Sequence, residues 1–246
     1  MDRIKFIRFQ QINSTNTYAL ENIDSLDDKT VVQADSQTQG RGRFDRVWQS
    51  ANMLNLYFSV VLKPTESLSS GLPLSNLTQY MSVVLAEVLD SYGVESQIKW
   101  PNDVLLEGKK IAGLLVQTSV HSNKLKGVVL GVGVNLNSSQ SEIDQIDQKA
   151  TSLNLETGKN IDKDAFLQQI TDRFFAKYED FLSTGFDLIK DVYIQKSFFL
   201  GSTITIKDPS GSYQAIANSI NDDGTLNIKT DQGFKNLMAG DVFLPE

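Results

Sequence analysis

Between Val94 and Asn137 the chain reads as four β-rich apolar runs, Val94 to Lys99, Val104 to Leu106, Lys110 to Thr118 and Leu125 to Asn137, with little but turn chemistry between them. Glu107-Gly108-Lys109 and Ser122-Asn123 are short polar turns, so the last three runs are expected to form an antiparallel meander. A chain built this way through its middle is committed to a sheet, with helices as core-packing elements around it.

The flanks fill in that plan. Ile4 to Phe9 and Thr30 to Ala34 read as short strands on either side of a helix beginning near Ser14-Thr15-Asn16, and Leu54 to Leu62, stopped by Pro64, is the longest strand candidate. Ser75 is the expected N-cap of a helix to about Tyr92, with Leu77, Tyr80, Met81, Val84, Leu85 and Val88 as its apolar stripe. Further helices are expected over Asp162 to Leu182, burying Phe166, Ile170, Phe174 and Phe181, and over Phe186 to Gln195. From Gly201 the texture changes to short strands (Ser202 to Lys207, Tyr213 to Ile220, Thr225 to Thr230, Phe234 to Leu237, Val242 to Leu244), separated by Asp208-Pro209-Ser210-Gly211, Asp222-Asp223-Gly224 and Asp231-Gln232-Gly233. The expected organisation is an α+β domain over residues 1–197, with a mixed or antiparallel central sheet, and a small β-barrel over 198–246.

Composition narrows the function. With 246 residues, 40% of them apolar, the chain can bury a full core; a net charge of −7 argues against wholesale binding to nucleic acid or a membrane surface. There is no cysteine and a single histidine, His121, read as a turn residue, so thiolate nucleophiles and Cys- or multi-His metal sites are excluded. Met1 to Phe6 lacks the apolar stretch of a signal peptide, and a cytoplasmic protein is expected.

Against this acidic background, Gln37 to Trp48 (Gln-Thr-Gln-Gly-Arg-Gly-Arg-Phe-Asp-Arg-Val-Trp) packs three arginines and two glycines into a segment without periodicity. Gly40 and Gly42 permit close backbone approach, and Arg41, Arg43 and Arg46 offer planar forks for phosphate or carboxylate; the competing reading is a solvated basic loop. Trp48 caps a ligand or anchors the loop to the core. In Lys99-Trp100-Pro101-Asn102-Asp103 a strand ends in a charged, aromatic turn, and Asn102 and Asp103 are equally ordinary turn formers. Lys110 opens an apolar strand; simple alternation puts it on the face of Ala112 and Leu114, where it stabilises negative charge or snorkels to water. Gly131 and Gly133 leave room for a flat ligand or mark a bulge. Ser14, Thr15 and Asn16 begin a helix as caps or as polar ligand contacts.

In this order, Gly-Arg-Gly-Arg-x-x-Arg-x-Trp at 40–48, Lys-Trp-Pro-Asn-Asp at 99–103, Lys-Ile-Ala-Gly-Leu-Leu at 110–115 and Gly-Val-Gly-Val-Asn at 131–135 resemble the biotin protein ligases, also called holocarboxylase synthetases. The resemblance spans the chain, since that family pairs a class II synthetase-like catalytic domain with a small C-terminal SH3-like barrel. It implies ATP-dependent biotinylation of one lysine on a biotin carboxyl carrier protein domain, of acetyl-CoA carboxylase or a related carboxylase, through biotinyl-5′-AMP, by a monomer or homodimer. Carried over by position, Ser14, Thr15, Asn16 and Gln37 resemble contacts to biotin's ureido head. Gly40, Arg41, Gly42 and Arg43 would close over its tail, with Gly113, Gly131 and Gly133 as floor. Arg41, Arg43, Arg46, Trp48, Lys99, Asn102, Lys110 and Asn135 resemble the ATP side. Arg43 and Lys110 are the leading catalytic pair, and Asp103 would assist the incoming lysine or Mg2+, which ATP mainly carries.

The same resemblance implies that the Arg loop is mobile without ligand. Because the catalytic pattern begins within fifteen residues of Met1, a form without the DNA-binding domain of bifunctional relatives is expected. Lipoate protein ligases are the nearest enzymatic alternative, and a non-catalytic module that retains a biotin pocket is the alternative from another class.

Overall fold

The computed structural model describes residues 4–44, 46–50, 54–63, 74–122, 124–208 and 211–244. Pro64, Pro209 and Asn123, and the side chain of Ser75, lie outside the described residues. Seven strands form one mixed sheet in the order β1-β2-β3-β7-β6-β5-β4: β1 (Lys5–Ile12), β2 (Thr30–Gln37), β3 (Leu56–Leu62), β4 (Ser96–Lys99), β5 (Asp103–Leu106), β6 (Lys109–His121) and β7 (Lys124–Val134). Only β1 and β2 run parallel, joined by helix α1 (Thr15–Glu21), and β4 to β7 form the antiparallel meander. The longest strand is β6, not the Leu54 to Leu62 run, because the polar end of β6 at Gln117 to His121 continues pairing with β7 beyond the apolar core.

One face of the sheet is covered by α2 (Leu77–Asp90), whose stripe of Leu77, Tyr80, Met81, Val84, Leu85 and Val88 is buried as its spacing requires. The cap of α2 is Asn76 rather than Ser75, which falls in a preceding 3-10 turn. Two short helices, α3 (Gln140–Ile143) and α4 (Leu153–Thr157), had no apolar period to announce them. The single helix expected over 162–182 is two: α5 (Lys163–Ala176), capped by the Asp162 side chain, and α6 (Tyr178–Thr184). Lys177, at φ −121°, breaks the run, and the break lets Phe174 and Phe181 pack against Tyr80 while Tyr178 stacks on Phe174. After α7 (Lys190–Lys196), five strands build the second sheet: β8 (Thr203–Asp208), β9 (Gly211–Ile220), β10 (Leu226–Thr230), β11 (Gly233–Leu237) and β12 (Asp241–Phe243), in the order β11-β10-β9-β8-β12. This is the small antiparallel C-terminal unit of SH3-like type. Its buried Ile204, Ile206, Leu226 and Ile228 belong to the same apolar cluster as α2 and the large sheet.

Polar contacts lock the two sheets together at one corner. Gly224 turns between β9 and β10 at φ +79°, its carbonyl accepting from Trp100 Nε1 at 3.1 Å and Gln79 Nε2 at 2.8 Å, while Asn76 Nδ2 donates to the Asp223 carbonyl at 3.0 Å. The corner tolerates no Cβ: one at Gly224 would collide with the side chains of Asn76 and Gln79. Among the described residues no helix is long and apolar enough to cross a membrane.

Candidate active site

The Arg loop is folded back on itself. Arg41 and Val47 form an antiparallel bridge, Gly42 N–H donates to the Arg46 carbonyl at 2.7 Å, and Trp48 N–H donates to the Gly40 carbonyl at 2.9 Å. Gly40 is therefore structural: its Cβ would lie 2.5 Å from the Trp48 carbonyl oxygen, and it does not line the cavity that holds the other biotin-side candidates. Arg43 Nη1 donates to Asn102 Oδ1 and to the Gly240 carbonyl, both at 3.2 Å, and pairs with Asp241 at 3.5 Å; Arg46 pairs with the other oxygen of Asp241. Residues 201–246 gave no sign of a reactive cluster in sequence, yet the barrel contributes Asp241, Lys207 and Phe243 to the walls. Burial lowers the Arg43 guanidinium pKa, with Asp103 opposing and Arg46 adding to the shift.

Lys110 reaches this centre through a bulge. Val104 pairs with Ala112 but Leu105 with Lys110, so Ile111 is the extra residue and the alternation shifts. Lys110 thus shares the cavity face with Gly113, whose Cβ would lie 3.1 Å from Lys110 Cε, while Ala112 and Leu114 point into the core. The face expected from simple alternation is corrected by one inserted residue. Lys110 Nζ pairs with Asp103 Oδ1 at 2.8 Å and Lys99 Nζ with Oδ2 at 3.0 Å. Burial alone would raise the Asp103 carboxyl pKa, but Lys110 and Lys99 outweigh it and hold the group below its ordinary range. Lys99 stands behind Asp103 and lines neither cavity of the site.

At the opposite end, the start of α1 presents a polar cluster. Ser14 caps the helix by accepting from Thr17 N–H at 3.4 Å, and Thr15 N–H donates to Gln37 Oε1 at 2.8 Å. Asn16 Nδ2 donates to Gln117 Oε1 at 3.0 Å, and Ser59 Oγ lies 2.7 Å from Thr15 Oγ1 and 2.6 Å from Asn16 Oδ1. Ser59 and Gln117 were missed by sequence reasoning. The signal for Ser59 was a hydroxyl inside the fully buried run Leu56–Leu62, where a polar atom must find a partner.

The expected glycine floor exists but carries side chains. Gly113 and Gly133 are cross-strand partners, and Trp48 lies on both: a Cβ would be 2.7 Å from the indole at Gly113 and 2.5 Å at Gly133. Over Gly131 the occupant is the Asn16 amide. Trp48 Nε1 is buried without a partner, and Lys110 Nζ lies 5.3 Å from the ring centroid.

Trp48 and Lys110 line two cavities at once. One, of about 100 Å³, runs from Ser14, Thr15, Asn16 and Gln37 to the arginines and also takes in Asn102. The other, of about 540 Å³, is lined by Asn135, Gln148, Lys207 and Phe243, with Asn135 fixed by donating to the Thr151 carbonyl at 3.1 Å. The arrangement has a polar pocket for a small neutral head group, a cationic centre, and a larger chamber beyond it. Such a layout suits joining a carboxylate to a phosphate. Neither Asp103 nor its surroundings offer a metal cradle, since both carboxylate oxygens hold lysines and no group of three His, Cys, Asp or Glu side chains with metal-binding geometry occurs among the described residues.

Known proteins share the sequence and the fold of this chain. Residues 8–135 match the Biotin/lipoate A/B protein ligase family. The chain is 32% identical over 216 residues to the bifunctional ligase/repressor BirA of Bacillus subtilis, covering 87% of this chain and 66% of that protein. To the biotin–[acetyl-CoA-carboxylase] ligase of Paracoccus denitrificans it is 30% identical over 238 residues, covering 94% of this chain and 97% of the relative. Among solved structures, the biotin protein ligase of Aquifex aeolicus in complex with biotin and ATP superposes with a TM-score of 0.82 at 27% identity, over 97% of each chain.

Proposed function

The chain belongs to the Biotin/lipoate A/B protein ligase family, and from that premise we propose that it is an ATP-dependent biotin protein ligase acting on a lysine of a biotin carboxyl carrier domain. The observation that carries this reading is the pair of cavities that share Trp48 and Lys110, with the arginine loop over their junction. Ser14, Thr15, Asn16 and Gln37 supply donors and acceptors for the ureido head of biotin, oriented by Ser59 and Gln117. The carboxylate end then lies among Arg41, Gly42, Arg43 and Lys110, and the nucleotide occupies the chamber bounded by Arg46, Trp48, Asn135 and the barrel.

In the first step a carboxylate oxygen of biotin attacks the α-phosphorus of ATP, and the bond to the β-phosphate bridging oxygen breaks to release pyrophosphate. Arg43 and Lys110 stabilise the charge gathered on the carboxylate and α-phosphate, and positioning does the rest. In the second, the acceptor amine attacks the biotinyl carbonyl, AMP leaves with the bonding electron pair, and the amine's proton passes to solvent water. Asp103, held below the ordinary carboxylate range, is a weak base, and its service is to fix Lys110 and Lys99. Magnesium enters with the phosphates of ATP, because these side chains build no site for it. Use of ATP and of carrier proteins as substrates supports the reading of a cytoplasmic enzyme.

The test is transfer. With biotin, MgATP and an apo carrier domain, one lysine of the acceptor gains a biotinyl group, and lipoate does not substitute. Modification with lipoate in preference to biotin would redirect the reading to the other branch of the family.

A further inference from the structure

The barrel places a carboxylate where the site needs an anion. Asp241, at the start of β12, has a side chain only 15% exposed and touches two of the three arginines that line the cavity, Arg43 through Oδ1 at 3.5 Å and Arg46 through Oδ2. The Gly240 carbonyl beside it accepts a further bond from Arg43 at 3.2 Å. Asp241 is itself part of the wall of the smaller cavity. A carboxylate bridging two arginines presents the same paired oxygen acceptors as a phosphate, and guanidinium forks engaged by one are not free for the other.

We propose that Asp241 is a built-in counter-anion, which holds the arginine loop against the barrel and competes with substrate phosphate for Arg43 and Arg46. This rests on the ligase reading for the identity of the phosphate, though the competition itself concerns any oxyanion. Asp241 acts through the arginines and is a positioning residue. Its charge keeps the loop docked and its positive groups neutralised, and an arriving polyphosphate, carrying more charge, takes the arginines over. The affinity for nucleotide is then the difference between two ion pairs, weaker than the arginines alone would give.

The experiment compares wild type with Asp241→Asn, which keeps the shape and removes the charge, and with Asp241→Glu, which restores it. Two readouts are taken: binding of inorganic pyrophosphate by calorimetry, and the separate KM and kcat for ATP in biotin-dependent adenylation. For Asp241→Asn, pyrophosphate should bind roughly three- to ten-fold more tightly and KM for ATP should fall by a similar factor, with KM for biotin falling as well because its carboxylate also meets Arg43. Asp241→Glu should return both towards wild type. Unchanged or weaker pyrophosphate binding by a folded Asp241→Asn protein overturns the proposal. If wild type shows no adenylation at all, the ligase reading fails while pyrophosphate binding still decides the role of Asp241.

Discussion

At the scale of single residues, the account depends on Arg43 and Lys110 meeting one anion. Arg43→Ala and Lys110→Ala are each expected to slow adenylate formation by about 10²-fold or more with the fold intact by circular dichroism. Ser59→Ala should raise KM for biotin several-fold and cost about 1 kcal/mol of stability, because Thr15 and Asn16 lose the hydroxyl that orients them; an unchanged KM for biotin would remove Ser59 from the site. The arginines, Lys110 and the glycines were legible because their types are unusual for their surroundings. Asp241 was not, since its significance lies in a contact to Arg43, 198 positions away in sequence. Trp48 was ambiguous in sequence between ligand cap and core anchor, and the structure puts it between the two, on a glycine floor with an unpartnered Nε1.

At the scale of elements, the meander from β5 to β7 followed from its turns, and α2 from its stripe. What periodicity could not give was the bulge at Ile111, because one extra residue is invisible until two strands are paired, and it decides which face Lys110 takes. The break at Lys177 escaped for a similar reason: the apolar period runs on, but packing around Tyr80 chooses two helices over one. Asp103, at the end of the β4–β5 turn, carries ion pairs to Lys99 and Lys110, and their pH dependence has a definite sign. Asp103 is depressed below its ordinary 3.8, so its stabilising contribution is present above that value and is lost only as pH falls through the lower folded value. Asp103→Asn should therefore cost about 2 kcal/mol in urea unfolding, undiminished between about pH 7 and pH 5. A penalty that fades across that range would show the lysines are not holding the carboxylate.

At the scale of the molecule, the barrel is part of the site and of the core. It docks through the Gly224 corner, through apolar side chains continuous with α2, and through Asp241 on the arginine loop. Sequence texture announced a small β-module after Gly201 but not that its last strand walls the catalytic cavity. Gly224→Val should lower stability by about 2–3 kcal/mol, from a branched side chain at positive φ against Asn76 and Gln79, and should weaken ATP use in the fraction that folds. A urea midpoint equal to wild type would contradict the docking described. The central claim, that the arginine loop and Lys110 join biotin's carboxylate to the α-phosphate of ATP, is tested most directly by biotin-dependent exchange of label between pyrophosphate and ATP without any acceptor protein. Wild type is predicted to exchange only when biotin is present, with Arg43→Ala and Lys110→Ala reduced to near background; folded wild type that does not exchange, or variants that exchange at the wild-type rate, would contradict it.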